Sequence, residues 1–110
     1  MVVVAATAPR EFSLEESAPG KFAARGALTF ATARRARELG LAALHASSAA
    51  GFQIDCSGIT HSDSAGMTVL LDWLSVAKRD GHSLQYANLP AQVKDIAGIS
   101  DTLEMLQKGV

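Results

Sequence analysis

The stretch Phe52-Gln-Ile-Asp-Cys-Ser-Gly-Ile-Thr-His-Ser-Asp-Ser-Ala-Gly66 decides how this chain is read. It opens on a run, Phe52 to Asp55, that is too short for a buried helix and suits a central strand. A polar loop is expected after Asp55. That loop leads through Asp63 and Ser64 into a segment with helical period, marked by Met67, Leu70, Leu71, Leu74 and Ala77 and expected to run from about Ser64 to Arg79. Lys78 and Arg79 complement the negative end of this helix, and Gly81 sits just beyond as its C-cap. A hydroxyl and a carboxylate are thereby set at a helix N-terminus, where unsatisfied backbone N–H groups and the positive dipole end meet solvent. Such a site can cap its own helix, hold an anion, present a phosphorylatable serine, or dock on a partner.

Working outward, Phe12 to Glu16 and Lys21 to Arg25 flank the turn Ala18-Pro-Gly20 and form an N-terminal hairpin. Gly26-Ala-Leu28 leaves the second strand, and Thr29 or Thr32 caps a helix from Phe30 to about Ala46 that is rich in Ala, Leu, Arg and Glu. Downstream of the central helix, Ser83 to Ala87 alternates as a strand with Leu84 and Tyr86 on one face. Pro90 starts a third helix that ends near Ala97, with Gly98 breaking it and Ile99 in the loop. Asp101 is the expected N-cap of a short last helix, Thr102 to Gln107. The order β-β-α-β-α-β-α-α implies a single α/β domain whose sheet has parallel neighbours joined by crossover helices.

A chain of 110 residues is one domain, and 48% hydrophobic residues suffice for a small core. Only six of the residues are aromatic, so that core should be largely aliphatic. A net charge of −1 provides no field for gathering nucleic acid or an anionic membrane. The cluster Arg34, Arg35 and Arg37 lacks aromatic stacking partners and reads as a solvated helix face. The lone Cys56 excludes an internal disulfide framework and fits a reducing compartment. Within residues 1–10, those from Met1 to Pro9 are apolar but lack a basic n-region and are too short for a signal h-region or a membrane span. They are expected to be a flexible N-terminus to a domain spanning 11–110. The expected location is the cytoplasm, without direct insertion into a membrane.

Three histidines and one cysteine show no metal-ligand spacing, and no glycine-rich loop with its lysine is present to cradle a nucleotide. Neither metal nor cofactor is expected. Ser62-Asp-Ser-Ala-Gly66 superficially resembles a nucleophile elbow, but Ser62 stands where the first glycine should be. His61 is too close in sequence to be assumed to form a relay with Ser64, and His45 and His82 fall at helix and turn ends.

The strand–loop–helix series, together with Asp55-Cys-Ser-Gly58, Asp63-Ser-Ala-Gly66, the leucine-rich helix and Leu89-Pro-Ala-Gln-Val-Lys94, resembles the STAS domain family. Gly26-Ala-Leu28 followed by Thr32 is similar to the family's Gly-x-Leu segment. The resemblance implies a four-stranded, mostly parallel or mixed sheet with helices packed largely on one side. It also implies a non-catalytic protein-binding role. In the family's anti-sigma-factor antagonists the helix opens Asp-Ser-Ser-Gly, and the serine before the glycine is phosphorylated by a partner kinase; this chain has Ala65 there. In the STAS subunits of Mla-type phospholipid-transport ABC systems (MlaB) the helix opens Asp-Thr-Gly-Gly, and Ser64 matches the hydroxyl that follows the aspartate. The resemblance therefore leans toward a subunit that docks on an ABC-transporter ATPase, peripheral at the inner membrane through that partner. The alternative is an anti-sigma-factor antagonist that meets a serine kinase and is phosphorylated on Ser64 or Ser62. The free domain's dimerisation is left open.

Asp63, Ser64, Ala65 and Gly66 are accordingly the expected partner-binding residues, with Ser64 acting either as a simple cap or as an interface hydroxyl. Asp63 reads as a cap and loop organiser rather than a general base, because a lone exposed carboxylate lacks anything to raise its pKa. Asp55 and Gly58 are expected to organise the loop, Gly58 through a φ > 0 conformation and Gly66 through backbone geometry at the helix start. Trp73 lies about a right angle from the centre of the buried helix face. It is expected at the core margin, either covering the core or anchoring a partner.

Overall fold

The computed structural model describes residues 12–46, 49–99 and 102–110. The expected flexible segment 1–10 and the expected cap Asp101 lie outside them. Strands β1 (Phe12–Ala18) and β2 (Lys21–Leu28) form the hairpin, and helix α1 (Ala33–Ala46) crosses to β3 (Gly51–Ser62). Helix α2 (Ser64–Arg79) crosses to β4 (Ser83–Ala87), and α3 (Ala91–Ile99) and α4 (Leu103–Lys108) complete the order.

The sheet runs β1-β2-β3-β4, antiparallel between β1 and β2 and parallel from β2 to β4. Both crossovers step to the next strand in the same direction, and right-handed crossovers then place α1 and α2 on one face. Side-chain alternation agrees. Phe22, Ala24, Leu28, Phe52, Ile54, Cys56, Leu84 and Tyr86 are buried beneath the helices, whereas Lys21, Arg25, Gln53, Ser57, Ser83 and Gln85 are exposed on the opposite face. This is the mixed α/β sheet with one-sided helices that the family resemblance implied.

The segment expected to be a polar loop after Asp55 is instead the second half of β3. Two shifts in register account for the misreading. Ala23 faces Asp55 but Arg25 faces Gly58, and Gly26 faces Ile59 but Ala27 faces His61, so β3 takes an extra residue at each step. Its buried positions therefore fall at Phe52, Ile54, Cys56, Ile59 and Ser62, and period-two alternation is lost beyond Cys56. Gly58 does not adopt φ > 0. It is needed because a Cβ there would lie 2.8 Å from Arg25 Cγ and 2.9 Å from the Ala24 carbonyl oxygen. Gly26-Ala-Leu28, expected to leave the sheet, likewise remains in β2.

Trp73 is the largest wholly buried side chain, not a residue of the core margin, and so it is no surface for a partner to grasp. Its ring lies against Gly40 of α1, where any Cβ would collide with the indole. Its Nε1–H donates to the Arg37 carbonyl at 3.3 Å, and Phe12 packs on it with ring centroids 6.1 Å apart. The glycine lets two helices approach closely enough for the indole to fill the space between them, which shifts the buried face of α2 toward Val69, Trp73 and Val76. Leu71, expected at its centre, is only partly buried. Helix α1 starts at Ala33 rather than Phe30, and α3 continues through Gly98 to Ile99. Gly98 is tolerated there because a helical glycine costs only about 1 kcal/mol.

Candidate functional site

Helix α2 begins where β3 ends, and Asp63 is the hinge between them. Its backbone is extended, its Oδ1 accepts the Gly66 N–H at 3.0 Å, and its carbonyl accepts the Met67 N–H at 3.0 Å. This is a true N-cap. The second carboxylate oxygen, Oδ2, accepts the Phe30 N–H at 3.0 Å. One side chain thus fastens the start of α2 to the turn between β2 and α1. That turn is closed by Thr32, whose Oγ1 accepts the Thr29 N–H at 3.0 Å and donates to the Ala27 carbonyl at 2.7 Å. Thr32 ties the turn with its hydroxyl while its carbonyl accepts the Ala36 N–H at 2.9 Å.

Gly66 supplies the second fastening. A Cβ there would collide with the Leu28 carbonyl oxygen at the end of β2, so only glycine lets the first turn of α2 lie against that strand. The expectation of a backbone role for Gly66 is met by this close contact. Between Asp63 and Gly66, Ser64 is exposed and Ala65 partly exposed. The Ser64 carbonyl accepts the Thr68 hydroxyl at 2.9 Å. Capping belongs to Asp63, and the Ser64 hydroxyl points to solvent.

Ser62 behaves differently. It is buried, and both its N–H and its hydroxyl are directed at Gln92 Oε1, at 3.1 and 3.3 Å. A kinase would have to open this clamp between β3 and α3 to reach Ser62, which leaves Ser64 as the accessible hydroxyl of the pair. Asp55 and Gly58 do not join the site. Asp55 Oδ1 accepts the Ser57 N–H at 2.9 Å and the Asn88 side-chain amide at 3.0 Å on the sheet's open face. These bonds, the amide of Asn88 foremost, hold its carboxyl below the usual carboxylate range. It organises β3 and the residue after β4 rather than a loop. Trp73 is withdrawn into the core.

In β3, burial, with the nearby Asp55 charge adding, pushes the Cys56 thiol up to about 12, so it is not a nucleophile at neutral pH. Among the described residues no group of three or more His, Cys, Asp or Glu side chains is placed to hold a metal ion.

Two contributors escaped the sequence reading. Gln92 lies inside the Leu89–Lys94 motif, but nothing in that motif gives its side chain a role. Phe30 was assigned to the first helix, yet the buried stripe Ala36, Gly40 and Leu44 leaves it out of phase, and it stands 85% exposed beside Asp63.

A family model described as "Mlab, STAS domain" matches residues 14–107. No curated protein matches the chain. Among solved structures, the fold is similar to the anti-sigma-factor antagonist SpoIIAA in its unphosphorylated form, with a TM-score of 0.61 and 14% identity over 80% of this chain and 82% of that one. It is similar also to the Bacillus cell fate determinant SpoIIAA in the phosphorylated form, with a TM-score of 0.65 and 15% identity over 87% of each chain. A third likeness is to the murine Solute Carrier 26 family member A9 anion transporter. There the TM-score is 0.65 and the identity 19%, over 94% of this chain but 20% of the transporter. At these identities the structural likenesses speak for the fold alone. Among the described residues no helix is long and apolar enough to cross a membrane.

Proposed function

The chain belongs to the STAS domain family, and from that membership we propose that it is a non-catalytic protein-binding subunit that docks on and tunes the cytosolic ATPase of a Mla-type lipid-transport ABC complex. One observation carries the reading: Ser64 follows the capping Asp63 with its hydroxyl exposed, while the next position is Ala65. A hydroxyl directly after the aspartate suits an interface group. The alanine removes the side chain on which a phosphorylation switch of the anti-sigma type would operate.

The mechanism is docking without chemistry in this chain. The carboxylate of Asp63 is occupied by two backbone N–H groups, so it is committed to structure and unavailable as a base. What the site offers is a fixed surface made from the start of α2. A fixed surface binds with little ordering cost and biases a mobile partner toward the conformation that fits it. The location is cytoplasmic, at the membrane only through the partner.

Replacement of Ser64 by glutamate tests this. The side chain is exposed, so Ser64→Glu should leave the thermal midpoint unchanged while weakening binding to the purified ATPase subunit at least about tenfold through charge and bulk. Binding equal to wild type would remove Ser64 from the interface. The SpoIIAA-like fold favours a second reading, an antagonist of an anti-sigma kinase. That reading requires phosphate on Ser64.

A further inference from the structure

Two large apolar side chains stand in solvent among the described residues, Phe30 at 85% and Met105 at 53% exposure. Phe30 is the one whose backbone is fastened. Its N–H is bonded to Asp63 Oδ2 at 3.0 Å, and the Thr32 hydroxyl closes the turn that carries it. The same Asp63 carboxylate holds the Gly66 N–H, so the phenyl ring and Ser64 are carried on one fastened unit. On a fixed backbone only the torsions of the ring remain to be ordered when it is buried against a partner, and aromatic side chains dominate interface energetics.

The charges beside it are also unexplained by folding. Helix α1 has no acidic residue in its first turn and places Arg34 and Arg35 there, at the positive end of its dipole. Arg34 meets Glu38 only loosely, at 3.9 Å with side chains 95% and 66% exposed. Arg35 is in no ion pair among the described residues, whereas Arg37, one position short of the next turn, is fastened to Asp72 at 2.6 Å. An isolated helix would be more stable without the first two cations.

We infer that Phe30 is the anchor of the docking surface, received by the partner protein in an apolar cleft rimmed by carboxylates that face Arg34 and Arg35. The inference rests on the docking reading of the α2 start and names the chemistry of the surface that meets it. Phe30 fills the cleft and excludes water. The two guanidiniums steer the encounter and fix its orientation, so they make association sensitive to salt.

The test is a calorimetric titration of the full chain with the purified ATPase subunit of the Mla-type complex from the same cell, at low and at physiological salt. Phe30→Ser should weaken binding at least about tenfold with an unchanged thermal midpoint, because the ring is out of the core. The pair Arg34→Glu and Arg35→Glu should weaken it at low salt and flatten its salt dependence. If Phe30→Ser and the arginine pair both bind within about twofold of wild type while Ser64→Glu does not bind, the anchor is overturned and the docking reading stands. If the wild-type chain does not bind the ATPase at all, both fall together.

Discussion

Asp63 and Ser64 are neighbours with opposite duties. The aspartate spends both carboxylate oxygens on backbone N–H groups, one in its own helix and one across the site, and the serine leaves its hydroxyl to solvent. Asp63→Ala should therefore cost about 1–2 kcal/mol, the upper range for a lost helix cap. Ser64→Ala should fall within about 0.5 kcal/mol of wild type. Urea denaturation of the two variants separates them, and a reversed order would contradict the division of roles. Cys56 supplies a second residue-scale prediction. Its thiol titrates near 9.0, as an exposed cysteine does, in the unfolded chain and is pushed up to about 12 in the fold. Between those pH values the unfolded chain has lost the proton and the folded one has kept it. Stability is therefore full below about pH 9 and falls above it, by about 1.4 kcal/mol per pH unit from this group. Burial raises the Tyr86 phenol as well, and its contribution has the same sign. Cys56→Ala should flatten the alkaline slope, read from denaturation midpoints between pH 8 and pH 11.

At the scale of elements, the sequence was legible wherever one period held. Helix α2 runs from Ser64 to Arg79 as its apolar spacing indicates, and the hairpin and β4 follow their alternation. Strand β3 was half hidden because its two register shifts break that alternation at Gly58 and again at Thr60. A glycine among serines and threonines then looks like a loop, although its role is to let β2 and β3 approach. Trp73 was misplaced for a different reason. A helical wheel treats every helix face alone, and the space that accepts the indole is created by Gly40 on another helix. The same limit hid Phe30 and Gln92, whose meaning depends on Asp63 and Ser62, 33 and 30 residues away. Since Trp73 fills the α1–α2 contact, Trp73→Ala should cost about 3–5 kcal/mol. A loss below about 1 kcal/mol in chemical denaturation would return Trp73 to the core margin, where the wheel put it.

For the whole molecule, the sheet divides the surface into two regions of different character. One face is covered by helices, and the other is open and lined by Lys21, Arg25, Gln53, Ser57 and Gln85. The proposed docking site belongs to neither face. It lies where β2 and β3 end and α1 and α2 begin, with the turn and the helix start fastened together by Asp63. The most direct test is to purify the tagged chain from its native cell under gentle conditions and identify both its stoichiometric partners and its phosphosites by mass spectrometry. The account predicts an ABC ATPase with its permease, and Ser64 unmodified. Recovery of a serine kinase instead, with phosphate on Ser64, would contradict it.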